Sequence, residues 1–174
     1  VGIPYSLKFL WSPFVDRYSP PLLGRRRGWV AAMQVGLALA VAALAFGDPK
    51  GATQTFALLA FLVAFLSATQ DIAIDAYRAD VLEPREMGAG AAVYVLGYRI
   101  AMLATGSLAL VLADHMPWRD VYLILAALML LGPLASAWAP EPPSGERPPQ
   151  SLTEAIVHPF MDFFGRSGWK AAAI

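Results

Sequence analysis

The chain has 174 residues, of which 57% are hydrophobic and 15% are charged, and its net charge at pH 7 is zero. A soluble domain carries roughly 25% charged residues, so this composition excludes an ordinary soluble domain and indicates an all-α, polytopic membrane helix bundle. The chain has no cysteine, which excludes disulfides and thiolate metal sites.

Apolar stretches separated by short polar connections predict five membrane-spanning segments. Each complete segment reaches or approaches the ~20 apolar residues that a bilayer requires. The fifth contains Gly132-Pro133, which predicts a kink. Because the first segment lacks its start and residues 169–174 resemble the start of another, we expect the chain to be part of a longer protein. The predicted segments are 1–15, 28–46, 53–80, 89–113 and 121–139.

The connections between these segments alternate in charge. Residues 16–27 hold four arginines, 83–88 hold Arg85 shortly after Arg78, and 140–168 hold Arg147 and Arg166. The connections 47–52 and 114–120 hold only Lys50 and Arg119, beside Asp48, Asp114 and Asp120. Basic residues are enriched on the cytoplasmic side of membrane proteins. The alternation therefore predicts that the arginine-rich connections are cytoplasmic.

The last cytoplasmic connection divides into two parts. Residues 140–150 contain many prolines and predict a linker. Ser151 and Glu154 then fit a helix capping box, and the apolar residues that follow lie on one helical face. Residues 151–168 are therefore predicted to form an amphipathic helix at the membrane interface.

Two residues inside the predicted spans carry charges of opposite sign. Lys8 lies about 12 Å from the cytoplasmic end if Asp16 marks that end, so it either snorkels to the headgroups or faces a cavity. Asp71, which follows Gln70, lies deeper in the membrane than the polar end of its segment. A low dielectric favours the neutral form of a carboxyl group, which suits reversible protonation. Asp71 is either a proton site or the counter-ion of Arg99 or Lys8.

Asp75 and Arg78 follow Asp71 at intervals that place all three on one helix face. They form either a local ion-pair ladder where the helix leaves the membrane or part of a cytoplasmic gate.

Arg99 lies near the centre of the fourth segment, with Tyr94 and Tyr98 on an adjacent face. A guanidinium group binds carboxylates bidentately, and tyrosines suit sugar and peptide groups. Arg99 therefore either contacts an anionic substrate or ties helices together. Gly97, Ala101 and Thr105 form a stripe of small residues that predicts close helix packing.

Motifs for enzymatic or nucleotide-dependent chemistry are absent from the sequence. Walker and Rossmann glycine patterns do not occur, and Gly106-Ser107 lacks the other residues of a nucleophile elbow. An intramembrane aspartyl protease requires aspartates on two facing helices, whereas Asp71 and Asp75 share one helix. We therefore expect a protein that is not an enzyme and has no cofactor, no metal and no nucleic-acid partner.

The connection after the first segment carries a recognisable motif. Asp16-Arg17 is followed, after five additional residues, by Gly24-Arg25-Arg26. It resembles the Asp-Arg-x-Gly-Arg-Arg loop of the major facilitator superfamily. The arginine triplet by itself is a topology signal, whereas the resemblance implies that Asp16, Arg17, Arg25 and Arg26 belong to a cytoplasmic gate.

Five blocks in register resemble the bacterial muropeptide permease family. The blocks are YSLKFLWSP (5–13), GRRRGW (24–29), ATQDIAIDAY (68–77), GAGAA with VLGYR (88–99) and DFFGR (162–166). The resemblance implies the N-terminal part of a major facilitator superfamily transporter, from helix two to the start of helix seven, that lacks its C-terminal half.

The function that this resemblance implies is secondary transport in the bacterial inner membrane. The family imports anhydro-muropeptides, which are anionic sugar-peptides, together with protons, for cell-wall recycling and β-lactamase induction. The buried cations Lys8 and Arg99 suit such a substrate. The alternative is a carrier of the same superfamily for another cargo, such as an acyl-coenzyme A or a drug.

Overall fold

The computed structural model describes residues 2–20 and 23–142, together with Glu154, Val157 and Met161. Three predicted parts of the chain therefore lie almost entirely outside the described residues. They are the linker after residue 142, the interfacial helix and the stretch 169–174.

The described part of the chain is helical and contains no β-strand. Four helical stretches are long and apolar enough to cross a membrane: α3, α4, α5, and α6 taken together with α7. This architecture confirms the predicted all-α, polytopic helix bundle. The helices are α1 (Ile3–Leu7), a 3-10 helix (Lys8–Leu10), α2 (Ser12–Arg17), α3 (Arg25–Leu44), α4 (Thr53–Val81), α5 (Met87–His115), α6 (Trp118–Met129) and α7 (Leu131–Trp138).

The N-terminal segment is broken into short pieces rather than forming one continuous helix. Pro13 has no N–H group, so the carbonyl of Phe9 cannot receive the usual helical hydrogen bond. The hydroxyl of Ser12 donates to that carbonyl instead, at 3.2 Å. Lys8 begins the 3-10 turn that lies between the two short helices.

The kink predicted in the fifth segment corresponds to the interruption between α6 and α7. Pro133 cannot donate to the carbonyl of Met129, the last residue of α6. Leu130 separates the two helices and donates its N–H to the carbonyl of Ala127 at 3.1 Å.

Small residues bring α3 and α4 into close contact. A Cβ atom added to Gly36 of α3 would lie 3.5 Å from the side chain of Leu66 on α4, and Ala64 and Ala68 of α4 are buried. Without bulky side chains between them, helix backbones in a membrane approach closely and gain van der Waals contact.

The stripe of small residues predicted on α5 makes no close contact with another helix within the described residues. Gly97, Ala101 and Thr105 are exposed, and a Cβ atom added to Gly97 would meet nothing within 4 Å. Sequence spacing identifies a small-residue face but not the helix that covers it, so close packing of this face stays a prediction.

Candidate functional site

Four charged residues and one tyrosine meet between the N-terminal segment, α4 and α5. We call Lys8, Asp71, Asp75, Arg78 and Tyr94 the charged cluster. Three of them occupy successive turns of α4, as their spacing predicted, while the 3-10 turn supplies the lysine and α5 supplies the tyrosine.

Asp71 is the centre of the charged cluster. Its Oδ2 atom lies 2.5 Å from Nζ of Lys8, and its Oδ1 atom accepts a hydrogen bond of 3.2 Å from the hydroxyl of Tyr94. Lys8 Nζ also lies 3.6 Å from Oδ2 of Asp75. The counter-ion of Asp71 is therefore Lys8, and one carboxylate links three segments of the bundle.

Arg78 completes the charged cluster on the side nearer the C-terminal end of α4. Its Nη1 atom lies 3.4 Å from Oδ1 of Asp75, and its guanidinium carbon lies 4.6 Å from the ring centroid of Tyr94. Its Nε atom is buried without a hydrogen-bond partner among the described residues. With two cations and two carboxylates, the charged cluster is formally neutral.

The charged cluster lies inside the membrane span but is not sealed. Asp71 precedes the end of α4 by ten residues, which corresponds to about 15 Å along the helix. The side chains of Lys8 and Asp71 nevertheless remain 34% and 29% exposed. Their ion pair is therefore accessible to a proton or a ligand.

Polar contacts that the sequence did not predict hold the N-terminal segment against α4. The hydroxyl of Tyr5 donates to Oγ of Ser67 at 2.7 Å, and Nε1 of Trp11 donates to Oγ1 of Thr69 at 3.1 Å. Hydroxyl groups within apolar segments often bond between membrane helices, so Ser67 and Thr69 were the available signal. Together these contacts fix the height of Lys8 relative to Asp71.

Three predicted site residues lie outside the charged cluster. Gln70 is half-buried, and its side chain forms no hydrogen bond within the described ranges. Tyr98 is exposed, with its ring 6.2 Å from that of Tyr94. Arg99 is exposed and forms no ion pair with any residue that the structure describes, so it is not the counter-ion of Asp71.

The predicted gate residues divide into two groups. Arg26, with a side chain only 12% exposed, bridges Asp16 at 2.6 Å and Asp80 at 2.7 Å. We call these three residues the cytoplasmic bridge. Asp75 and Arg78 belong to the charged cluster instead, because their side chains lie nearer the centre of the span.

The two other predicted gate arginines make weaker contacts. Nη1 of Arg25 lies 3.5 Å from the backbone carbonyl of Asp16, and the guanidinium carbon of Arg17 lies 5.6 Å from the ring centroid of Tyr18. Asp80 was not predicted, although its position at the end of the third segment was a usable signal.

Arg27 ties the end of α7 to the start of α3. Its Nε atom lies 2.6 Å from Oε2 of Glu141, and its Nη1 atom donates to the carbonyl of Ala139 at 2.6 Å. The hydroxyl of Tyr77 donates to the carbonyl of Pro140 at 2.8 Å. The beginning of the predicted linker is thus fastened to α3 and α4.

The described residues provide charged groups and hydrogen-bond donors, but they form no metal centre. Within residues 2–20 and 23–142, no group of three or more His, Asp or Glu side chains is arranged to hold a metal ion. The charged cluster places two carboxylates, two cationic groups and a phenol hydroxyl in contact with one another.

Comparison with known proteins identifies the family. Residues 4–174 match the profile of the Major Facilitator Superfamily. The chain is 49% identical over 168 residues to the anhydromuropeptide permease of Escherichia coli K12, which covers 96% of this chain and 34% of that protein. It is 41% identical over 170 residues to an uncharacterized protein of Haemophilus influenzae, covering 97% of this chain and 40% of that one.

The chain therefore spans about a third of the length of the permease that it matches. The resemblance predicted from the five sequence blocks is confirmed by this similarity, and the apolar helices agree with a multi-pass membrane protein. The chain belongs to the Major Facilitator Superfamily.

Proposed function

We propose that the intact protein is a secondary transporter, not an enzyme, that imports anhydro-muropeptides across the bacterial inner membrane together with protons. The imported fragments serve cell-wall recycling and β-lactamase induction. The observation that carries this proposal is Asp71, an intramembrane carboxylate that contacts Lys8 and Tyr94 on two other segments. The similarity to a permease named for this substrate supports the choice of cargo.

Protonation of Asp71 couples the proton to the substrate in this proposal. The neutral carboxyl group no longer holds Lys8 at 2.5 Å, and the formal charge of the charged cluster rises from zero to plus one. The lysine ammonium group then binds a carboxylate of the anionic sugar-peptide. Loss of the proton restores the Lys8–Asp71 pair and displaces the substrate toward the cytoplasm.

Other predicted residues complete the proposed binding surface. Arg99 is a guanidinium group without an ion-pair partner in the described bundle, so its donors are available for a second carboxylate. Tyr98 and Gln70 supply nearby groups for sugar and peptide contacts. Gly97, Ala101 and Thr105 remain a proposed packing face for the part of the protein that this chain does not cover.

Alternating access requires a cytoplasmic closure and a second bundle. In the intact protein, this bundle rocks against the C-terminal half around a site at mid-membrane depth. Arg26 and Asp16, with Arg17 and Arg25 beside them, act as the cytoplasmic gate. The contact of Arg26 with Asp80 couples that gate to the helix that carries Asp71.

Uptake of labelled anhydro-muropeptide into membrane vesicles that contain the intact protein tests the proposal. We expect accumulation that is abolished by a protonophore. Absence of uptake despite confirmed membrane insertion would reject the cargo, and acyl-coenzyme A and drug substrates would then be screened. Uptake that is insensitive to the protonophore would reject proton coupling.

Substitution of Asp71 alone separates the two roles left open for it. If Asp71 is the proton site, Asp71→Asn should lose proton-driven accumulation but keep exchange of labelled substrate across the vesicle membrane, because Lys8 still binds the substrate. If Asp71→Asn retains protonophore-sensitive accumulation, then Asp71 serves only to neutralise Lys8 and is not the proton site. Asp48→Asn, in an exposed turn, is the matched control and should transport normally.

A further inference from the structure

A cavity of about 300 Å³ lies at the end of the bundle opposite the cytoplasmic bridge. It is formed where the end of α3 and the α3–α4 turn meet the start of α6. Pro49 and Phe56 line one side, and Trp118, Arg119 and Tyr122 line the other.

The length of α3 places this cavity at a membrane surface. The helix runs for 20 residues from Arg25 to Leu44, which corresponds to about 30 Å. This is roughly the thickness of the hydrocarbon core of a bilayer. Since the cytoplasmic bridge lies at one end of α3, the cavity at the other end lies at the level of the headgroups of the outer leaflet.

Arg119 is the charged group of the cavity. Its guanidinium carbon lies 5.0 Å from the ring centroid of Phe46, and it forms no ion pair with the residues of 2–20 and 23–142. Asp120, its neighbour in sequence, makes no ion pair with it. Arg119 therefore presents free donors above an apolar floor.

The nearby acidic residue Asp48 does not compete for Arg119. Its Oδ1 atom accepts a hydrogen bond of 2.9 Å from the backbone N–H of Lys50. Backbone N–H groups of Gly51 and Lys50 lower the pKa of Asp48 below its ordinary value. This carboxylate is thus directed into its own turn.

Aromatic rings line the cavity together with Arg119. The rings of Trp118 and Tyr122 lie 6.1 Å apart, and Phe46 and Trp118 are 68% and 52% exposed. Aromatic side chains are enriched at the membrane interface, where one end of the ring is apolar and the other meets headgroups. A cation beside such rings combines phosphate recognition with an apolar surface for the glycerol and acyl chains.

We propose that this cavity binds an anionic phospholipid of the outer leaflet, with Arg119 holding the phosphodiester bidentately. The glycerol region of the lipid lies against Trp118 and Tyr122. The site lies at the opposite end of the bundle from the gate and on different residues from the charged cluster, so the proposal is independent of the transported cargo.

Native mass spectrometry of the intact protein with added phosphatidylglycerol tests this proposal. Arg119→Gln should weaken binding of the most tightly held lipid by about tenfold, since a charge-assisted hydrogen bond is lost. Arg85→Gln is the matched control because it removes the same charge from an exposed arginine at the other end, paired with Glu83. Equal affinity in the wild type and Arg119→Gln, or an equal loss in Arg85→Gln, would overturn the proposal.

Two further binding measurements identify the ligand. Phosphate-free diacylglycerol should not bind at this site, and millimolar inorganic phosphate should not displace phosphatidylglycerol. Binding of diacylglycerol with the same affinity would reject phosphate recognition, and displacement by inorganic phosphate would assign the site to a soluble anion. If Arg119→Gln fails to fold, Arg119→Lys replaces it and should lose part of the affinity because lysine cannot bind bidentately.

Discussion

At the scale of single residues, the pairing of Asp71 and the isolation of Arg99 are the decisive observations. Both carboxylate oxygens of Asp71 are occupied, one by Lys8 and one by Tyr94. Arg99 is the opposite case, because it is exposed and has no ionic partner within the described ranges. This contrast is why the proposed function assigns Arg99 to a substrate carboxylate.

Substitution of Arg99 tests this distinction between stability and function. We expect Arg99→Ala to abolish uptake in the intact protein while leaving its thermal stability in detergent unchanged. Arg99→Lys should not restore uptake, because lysine cannot bind a carboxylate bidentately. Arg85→Ala is the control for loss of a positive charge. Wild-type uptake by Arg99→Ala, or a large loss of stability, would contradict the assignment.

At the scale of helices, α3 and α7 meet at a glycine. A Cβ atom added to Gly132 would lie 2.5 Å from Nε2 of Gln34, whose Oε1 atom accepts a hydrogen bond of 3.2 Å from Ser136. Gly132 therefore leaves room for a polar contact between two membrane helices.

Replacement of Gly132 by alanine should displace the amide group of Gln34 from between these helices. We expect Gly132→Ala to lower the free energy of unfolding by about 0.5–1.5 kcal/mol, because Gln34 turns away and loses its hydrogen bond with Ser136, measured by unfolding in mixed detergent. Gly106→Ala is the control, since its added Cβ atom meets nothing within 4 Å. There the higher helix propensity of alanine should leave stability equal or slightly raised. Equal effects of the two substitutions would refute the packing role.

The loop between α2 and α3 allows the gate and topology interpretations to be separated. Arg26 bridges Asp16 and Asp80, whereas Arg25 makes only one long contact with a backbone carbonyl. If the arginines serve only as a topology signal, then either substitution should have the same effect, because positive-inside bias depends on the number of charges.

Arg26→Gln should therefore reduce stability more than Arg25→Gln. We expect a loss of about 1–3 kcal/mol for Arg26→Gln, since two carboxylates lose a mostly buried partner, and a loss below about 1 kcal/mol for Arg25→Gln. Unfolding in mixed detergent and uptake rates would both be measured. Similar losses of stability and of uptake in the two variants would support the topology interpretation and would reject the cytoplasmic bridge as a gate.

At the scale of the whole molecule, the charge alternation of the connections predicts how the bundle crosses the membrane. The cytoplasmic bridge gathers the ends of α2 and α4 and the start of α3 at one face, in agreement with that alternation. The cavity that contains Arg119 lies at the other face.

Cysteine labelling tests this orientation, since these 174 residues contain no cysteine. In intact cells that carry the intact protein without other cysteines, a membrane-impermeant maleimide should label Lys50→Cys. It should label Arg85→Cys only after lysis, because the charge alternation predicts that this connection is cytoplasmic. Both positions are exposed, so differences in burial do not explain the result. Labelling of Arg85→Cys in intact cells would reverse the topology.

The sequence by itself determined the helical architecture, the family resemblance and the identity of the intramembrane charges. These three features depend on the composition and the spacing of nearby residues, which can be read directly from the sequence. Pro133 also indicated the interruption of its helix, since the missing N–H group acts within one turn.

Only the tertiary structure decided which charges are partners. Lys8 and Asp71 are 63 positions apart, and sequence alone left Arg99 as an equal candidate for the same carboxylate. The broken N-terminal segment turns Lys8 toward Asp71, while α5 presents Tyr94 to Asp71 and leaves Arg99 exposed. The small residues of α3 and α4, not those of α5, form the close contact. Contacts between distant segments depend on how helices rotate and tilt against one another, and that information is not contained in the spacing within any one of them.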